Sequence, residues 1–182
     1  MPDLFLSPST QEYNLYNGGG NEEYYANLIA DAMEPYLNAS GITFTRNNPN
    51  GTVSNSIADS NADTYRFHLA IHSNAAPPSL AGQVRGADAY YYRDSQRSQD
   101  YAQIIANNFK LIYPVPSLVA AVPTTTLAEL RRTKAPAVLI EIAYHDNAED
   151  AAWIRENVEG IARNLALSVA DILDVPFVEP AE

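Results

Sequence analysis

Ala137-Val-Leu-Ile-Glu141-Ile-Ala-Tyr144 is an apolar run of strand length with a single carboxylate inside it. A second run, Leu69-Ala-Ile-His72-Ser-Asn-Ala75, carries a histidine where its apolar part ends. Short continuous apolar runs of this kind read as fully buried strands. Burying a carboxylate or an imidazole without a partner is costly, so each needs a dedicated hydrogen bond or a chemical role. A histidine and a glutamate brought together in this way suggest a hydrolytic zinc site.

Outward from these two runs, strands and helices alternate. Asp3–Leu6 predicts a first strand, followed by a polar loop ending in Gly18-Gly19-Gly20-Asn21. Asn21 is suited to cap a helix starting at Glu22, with an apolar stripe of Ala26, Ile29, Ala30, Met33 and Leu37. Pro35 is expected to kink or shorten that helix. Ile42–Arg46 reads as a second strand closed by the turn Asn47-Asn-Pro-Asn-Gly51, and residues 52–62 as a polar helix. Arg66–His72 and Ala87–Tyr92 follow as strands, and Tyr101, Ile105, Phe109 and Ile112 mark one face of another helix. Residues 113–126, rich in Pro, Val and Thr, read as irregular with room for a short strand. After the last strand, Ala137–Tyr144, Asn147 and Asp150 open a long helix with the face Ile154, Val158, Ile161, Leu165, Val169 and Ile172. This alternation predicts an α/β layer structure around a largely parallel or mixed sheet. Residues 1–175 form the expected single domain, and residues 176–182 read as a tail or linker stub.

Composition narrows the function. With 182 residues and 46% hydrophobic content, the chain is large enough to bury a substantial core. A net charge of −11 disfavours nucleic acid and anionic membrane surfaces as partners. No transmembrane run and no secretory signal are visible. Zero cysteines exclude disulfides, iron–sulfur clusters and thiolate zinc sites. Any metal must therefore be held by His, Asp, Glu or neutral oxygen and nitrogen donors.

The chain has three histidines, His68, His72 and His145. His68 and His72 lie roughly 13 Å apart along one strand, too far to share a metal. His72, at the strand end where α/β sites gather, is the candidate ligand, with a satisfied core histidine as the alternative. His68 is assigned to the core, and His145 to a loop or helix start. Desolvation by its apolar neighbours raises the pKa of Glu141 into the range of a general acid or base. Its alternative is an ion pair with Arg131 or Arg132. At the first helix, phase selects Glu22 as the inward carboxylate and turns Glu23 to water, unless either serves only the helix dipole.

The matching segments are Ala70-Ile71-His72-Ser73-Asn74-Ala75, Gly86-Ala-Asp-Ala-Tyr-Tyr-Tyr92 and Ala135-Pro136-Ala137-Val138-Leu139-Ile140-Glu141-Ile142-Ala143-Tyr144, with Asn147 and Asp150 beyond. From Asp3 to about Ile172 the chain resembles the zinc-dependent N-acetylmuramoyl-L-alanine amidases of the amidase-3 family. That resemblance implies a three-layer domain with a mixed, mostly parallel sheet of about six strands between helices. It also implies one zinc activating a water against the amide that joins N-acetylmuramic acid to L-alanine. His72 and Glu22 become zinc ligands, Glu141 the catalytic carboxylate and Asn74 a substrate-binding residue.

One segment departs from the family pattern. The histidine of the family's Asp-x-Gly-His-Gly segment has no counterpart in Ser7-Pro8-Ser9-Thr10-Gln11-Glu12-Tyr13-Asn14. Glu12 is the substitute ligand by chemistry, with a Ser9-x-x-Glu12 capping box as the alternative. One imidazole and two carboxylates would form a harder site, more tolerant of manganese. The leading expectation is a peptidoglycan hydrolase, an endolysin domain, autolysin or sporulation enzyme, reaching the cell wall after lysis or export, or cytoplasmic until release. The alternatives are an impaired wall-binding module on the same fold and a zinc peptidase acting on another peptidoglycan amide.

Overall fold

The computed structural model describes residues 2–181, so Met1 and Glu182, the outer ends of the expected domain and tail, lie outside the described residues. Six strands form one sheet: β1 (Leu4–Pro8), β2 (Phe44–Arg46), β3 (Phe67–Asn74), β4 (Ala87–Tyr92), β5 (Val119–Thr124) and β6 (Ala137–Tyr144). Their order is β2-β1-β3-β6-β4-β5, and every pairing is parallel except β4 with β6. The expected mixed, mostly parallel α/β sheet is therefore observed. Among the described residues no helix is long and apolar enough to cross a membrane.

The two faces of the sheet are covered unequally, and this places the site. Strand side chains alternate between faces. Leu4, Leu6, Phe67, Leu69, Ile71, Val138 and Ile140 belong to the main core with helices α1 (Glu22–Ala39), α3 (Gln96–Phe109) and α6 (Val158–Leu173). The opposite face carries a small apolar cluster of Ala70, Leu130, Ala137 and Leu139. Among the described residues it is covered by two short helices, α4 (Ala128–Arg132), packed on β6 and β4, and α2 (Val53–Ala62), which packs on α4 and reaches His68 through Ser60. The two histidines of β3, His68 and His72, alternate with Ala70 and so share this thinly covered face.

Local chemistry explains most boundaries. The Asn21 side chain accepts from the Tyr24 N–H and starts α1, while Thr52 and Asn55 form a capping box at α2. Pro35 does not shorten α1, which runs on to Ala39. It lies on the solvent face, as does Asp31, whose carbonyl loses a helical partner and can turn to water. The expected long C-terminal helix is two, α5 (Ala148–Glu156) and α6, broken at Asn157. The Asn157 side chain donates to the Trp153 carbonyl, a local bond that competes with helix continuation. Residues 113–126 contain the edge strand β5, where Pro123 is tolerated. Ser9 Oγ accepts from the Gln11 N–H in a turn, and no helix follows it. The described part of the C-terminal segment folds back, with Phe177 stacked on Tyr36 and lying under the Arg163 guanidinium.

Candidate functional site

Register brings the two opening runs together. His72 on β3 is the direct neighbour of Glu141 on β6, and Asp88 on β4 is its neighbour on the other side. Glu141 thus stands between an imidazole and a second carboxylate. It forms no pair with Arg131 or Arg132. Its Oε2 is buried with no hydrogen-bond partner. Burial pushes the Glu141 carboxyl up to about 7; the His72 charge pulls it down, while those of Glu22 and Asp88 push it up.

His72 is held at both ring nitrogens. Nδ1 lies 2.8 Å from Glu22 Oε1, and Nε2 lies 3.6 Å from Glu129 Oε2, an ion-pair distance rather than a hydrogen bond. Burial pulls the His72 pKa down, but Glu129, Glu22 and Glu141 outweigh it and hold it up at about 10. Glu22 is only 1% exposed, whereas Glu23 lies partly open and accepts from Asn27, so helix phase identified the inward carboxylate. Burial raises the Glu22 carboxyl, and the His72 and Asn14 hydrogen bonds more than offset this, leaving it below the ordinary range. His68 is a satisfied core histidine: Nδ1 is 2.9 Å from Ser60 Oγ and Nε2 is 3.0 Å from Glu129 Oε1. His145 follows β6 and is buried against Ser73 and Tyr16, away from this face.

Glu129 is the residue that sequence reasoning missed. It is 3% exposed, on α4, and its Oε1 accepts from Ser7 Oγ as well as facing His68. A glutamate in the first turn of a short helix reads as a dipole complement. Only the packing of α4 on β6 and β4, from which the Glu129 side chain reaches the histidines of β3, reveals its other role. Together His72, Glu129 and Glu141 line a hollow of about 180 Å³, walled by Gln11, Val53, Leu127 and Leu139.

Two other expected residues lie elsewhere. Glu12 is exposed and lines a separate hollow with Thr10, Glu23 and Asn50, so it does not join His72 and Glu22. The chain turns at Ser9 and carries Gln11 inward instead, with Nε2 3.3 Å from His72 Nδ1. Asn74 continues β3 past an irregularity, and its Oδ1 accepts from the Ala75 N–H rather than facing the hollow.

A catalytic zinc takes three protein donors, drawn from His, Cys, Asp and Glu. Glu22 Oε1 and His72 Nδ1 supply two, and the groups beside them are the neutral Gln11 and Asn14 amides. Among the described residues no three His, Cys, Asp or Glu side chains come together to hold a metal ion. The donors present therefore do not fit the expected zinc site, and no step below passes through a metal.

The mixed α/β sheet thus sets an acid and an imidazole side by side on its thinly covered face, an arrangement suited to proton transfer. The family model for N-acetylmuramoyl-L-alanine amidase, amidase-3, matches residues 10–171. The chain belongs to this family. Among solved structures it is similar to the catalytic domain of CwlV, an N-acetylmuramoyl-L-alanine amidase from Bacillus (Paenibacillus) polymyxa var. colistinus. The TM-score is 0.80 at 18% identity, covering 97% of this chain and 100% of that one. It is also similar to the catalytic domain of the CD27L endolysin targeting Clostridia difficile, with TM-score 0.75 and 21% identity over 94% of this chain and 98% of that one. Cwp6 from Clostridium difficile matches with TM-score 0.82 and 20% identity over 94% of this chain, which spans 29% of the Cwp6 chain. No curated protein sequence matches.

Proposed function

We propose that the chain hydrolyses the amide between the lactyl group of N-acetylmuramic acid and L-alanine, with Glu141 moving the protons. The observation that carries this is the buried, unpartnered Oε2 of Glu141 beside His72 in an open hollow. An unpaired buried carboxylate oxygen costs stability. A water arriving with the substrate would satisfy it. Ionised Glu141 takes a proton from that water as its oxygen bonds to the amide carbon. The tetrahedral intermediate then breaks its C–N bond, and Glu141 passes the proton to the leaving amine of L-alanine. His72 places positive charge beside the carbonyl oxygen as negative charge builds there. The products are a free lactyl carboxylate and a stem peptide with an L-alanine amino terminus. In this reading the chain meets its substrate at the bacterial wall, after lysis or export.

The incomplete donor set favours one other reading, a wall-binding module without turnover. A soluble muramyl peptide, incubated with the protein and analysed by mass spectrometry, separates the two. The expected result is scission at the lactyl amide, slowed about 10²- to 10⁴-fold in Glu141→Gln. Binding without scission supports the module, and shortened stem peptides support a peptidase. Equal turnover by the Glu141→Gln protein would remove Glu141 from the mechanism.

A further inference from the structure

A buried string of side chains runs behind the site: Ser60, His68, Glu129, His72 and Glu22. Its centre, Glu129, comes from the connection between β5 and β6, whereas both histidines come from β3. Two imidazoles too far apart to share a metal therefore share one carboxylate, an oxygen each. Oε1 is anchored by Ser7 and by His68, whose other nitrogen is itself fixed by Ser60. Oε2 is left to face His72 at the wall of the hollow.

We infer that Glu129 is the positioning residue of His72: anchored from behind by Ser7 and His68, it orients the Nε2 edge of the ring while Glu22 takes the Nδ1 edge, so that one ring orientation stands beside Glu141. At 3.6 Å the contact is one of charge, and a carboxylate that can only accept favours an Nε2 edge that carries hydrogen. The inference rests on the proposed amide hydrolysis only for its effect on turnover. The ring geometry is tested without it.

The test is long-range ¹H–¹⁵N NMR of the imidazoles in the whole ¹⁵N-labelled chain, which has only three histidines. In the wild-type protein at neutral pH, His72 Nε2 is expected to carry hydrogen. Finding a bare nitrogen there overturns the inference, whether or not any variant folds. Glu129→Gln preserves shape but can turn an N–H toward His72. It is expected to move both His72 ring signals, leave those of His145 in place, and lower kcat about ten- to a hundredfold with KM nearly unchanged. A folded Glu129→Gln protein with unmoved His72 signals overturns the inference. If the signals move but wild-type protein cuts no muramyl peptide, Glu129 keeps its role and the hydrolytic reading fails.

Discussion

Glu141 has His72 on one flank and Asp88 on the other, and the two act on its proton in opposite directions. With its pKa pushed up to about 7, the base is protonated in acid. We therefore expect kcat/KM on a muramyl peptide to fall tenfold per pH unit below about 7 and to level off above it. A flat profile from pH 5 to 8 would contradict this. Stability should run the other way. The folded-state pKa lies above the ordinary carboxylate value of 4.5, so folded protein binds the extra proton between those values and loses stability as pH rises through that window. Glu141→Gln removes a penalty on the order of 3 kcal/mol at pH 8 and almost none at pH 4, measurable by urea unfolding. Glu22, His72 and Glu141 were legible because each interrupts an apolar pattern of known period. Glu129 interrupts nothing, and its burial depends on how α4 docks.

Elements were legible where their boundary chemistry is local. Asn21 and Thr52 cap their helices through side chains three residues from the N–H they satisfy. The break between α5 and α6 was hidden because its apolar face continues in phase across Asn157. Asp150 reads as a residue of a helix start, yet it is fully buried and joins four segments. It accepts from Arg85 Nε at 3.0 Å, Tyr113 Oη at 2.6 Å, and the backbone N–H groups of Gly86 and Tyr144. Asp150→Asn keeps the volume but exchanges an acceptor oxygen for a donor and leaves Arg85 without that partner. A loss of about 3 kcal/mol in urea unfolding is expected. A loss below about 0.5 kcal/mol would mean the cluster contributes little.

At the scale of the whole molecule, alternating strands and helices predicted the α/β class, but strand order depends on contacts distant in sequence. Pairing β3 with β6 across more than sixty residues creates the His72–Glu141 neighbourhood, and the antiparallel β4 adds Asp88. The thin cover over that face leaves the hollow open. The missing third donor also acts at this scale, because the turn at Ser9 carries Gln11 inward and Glu12 out. After dialysis against buffer without chelator, the wild-type protein is expected to retain well under one zinc per chain by elemental analysis. Gln11→His, adding an imidazole beside Glu22 and His72, is expected to raise retention toward one. Equal retention by both proteins would place the metal donors elsewhere.

The most direct test of amide hydrolysis through Glu141 is identification of the bond cut in purified peptidoglycan. Wild-type and Glu141→Gln proteins are compared by mass spectrometry of the released fragments. Intact stem peptides with free L-alanine amino termini and uncut glycan strands are expected, from the wild-type protein alone. Fragments cut within the stem, equal release by the Glu141→Gln protein, or wall binding with no release would contradict it.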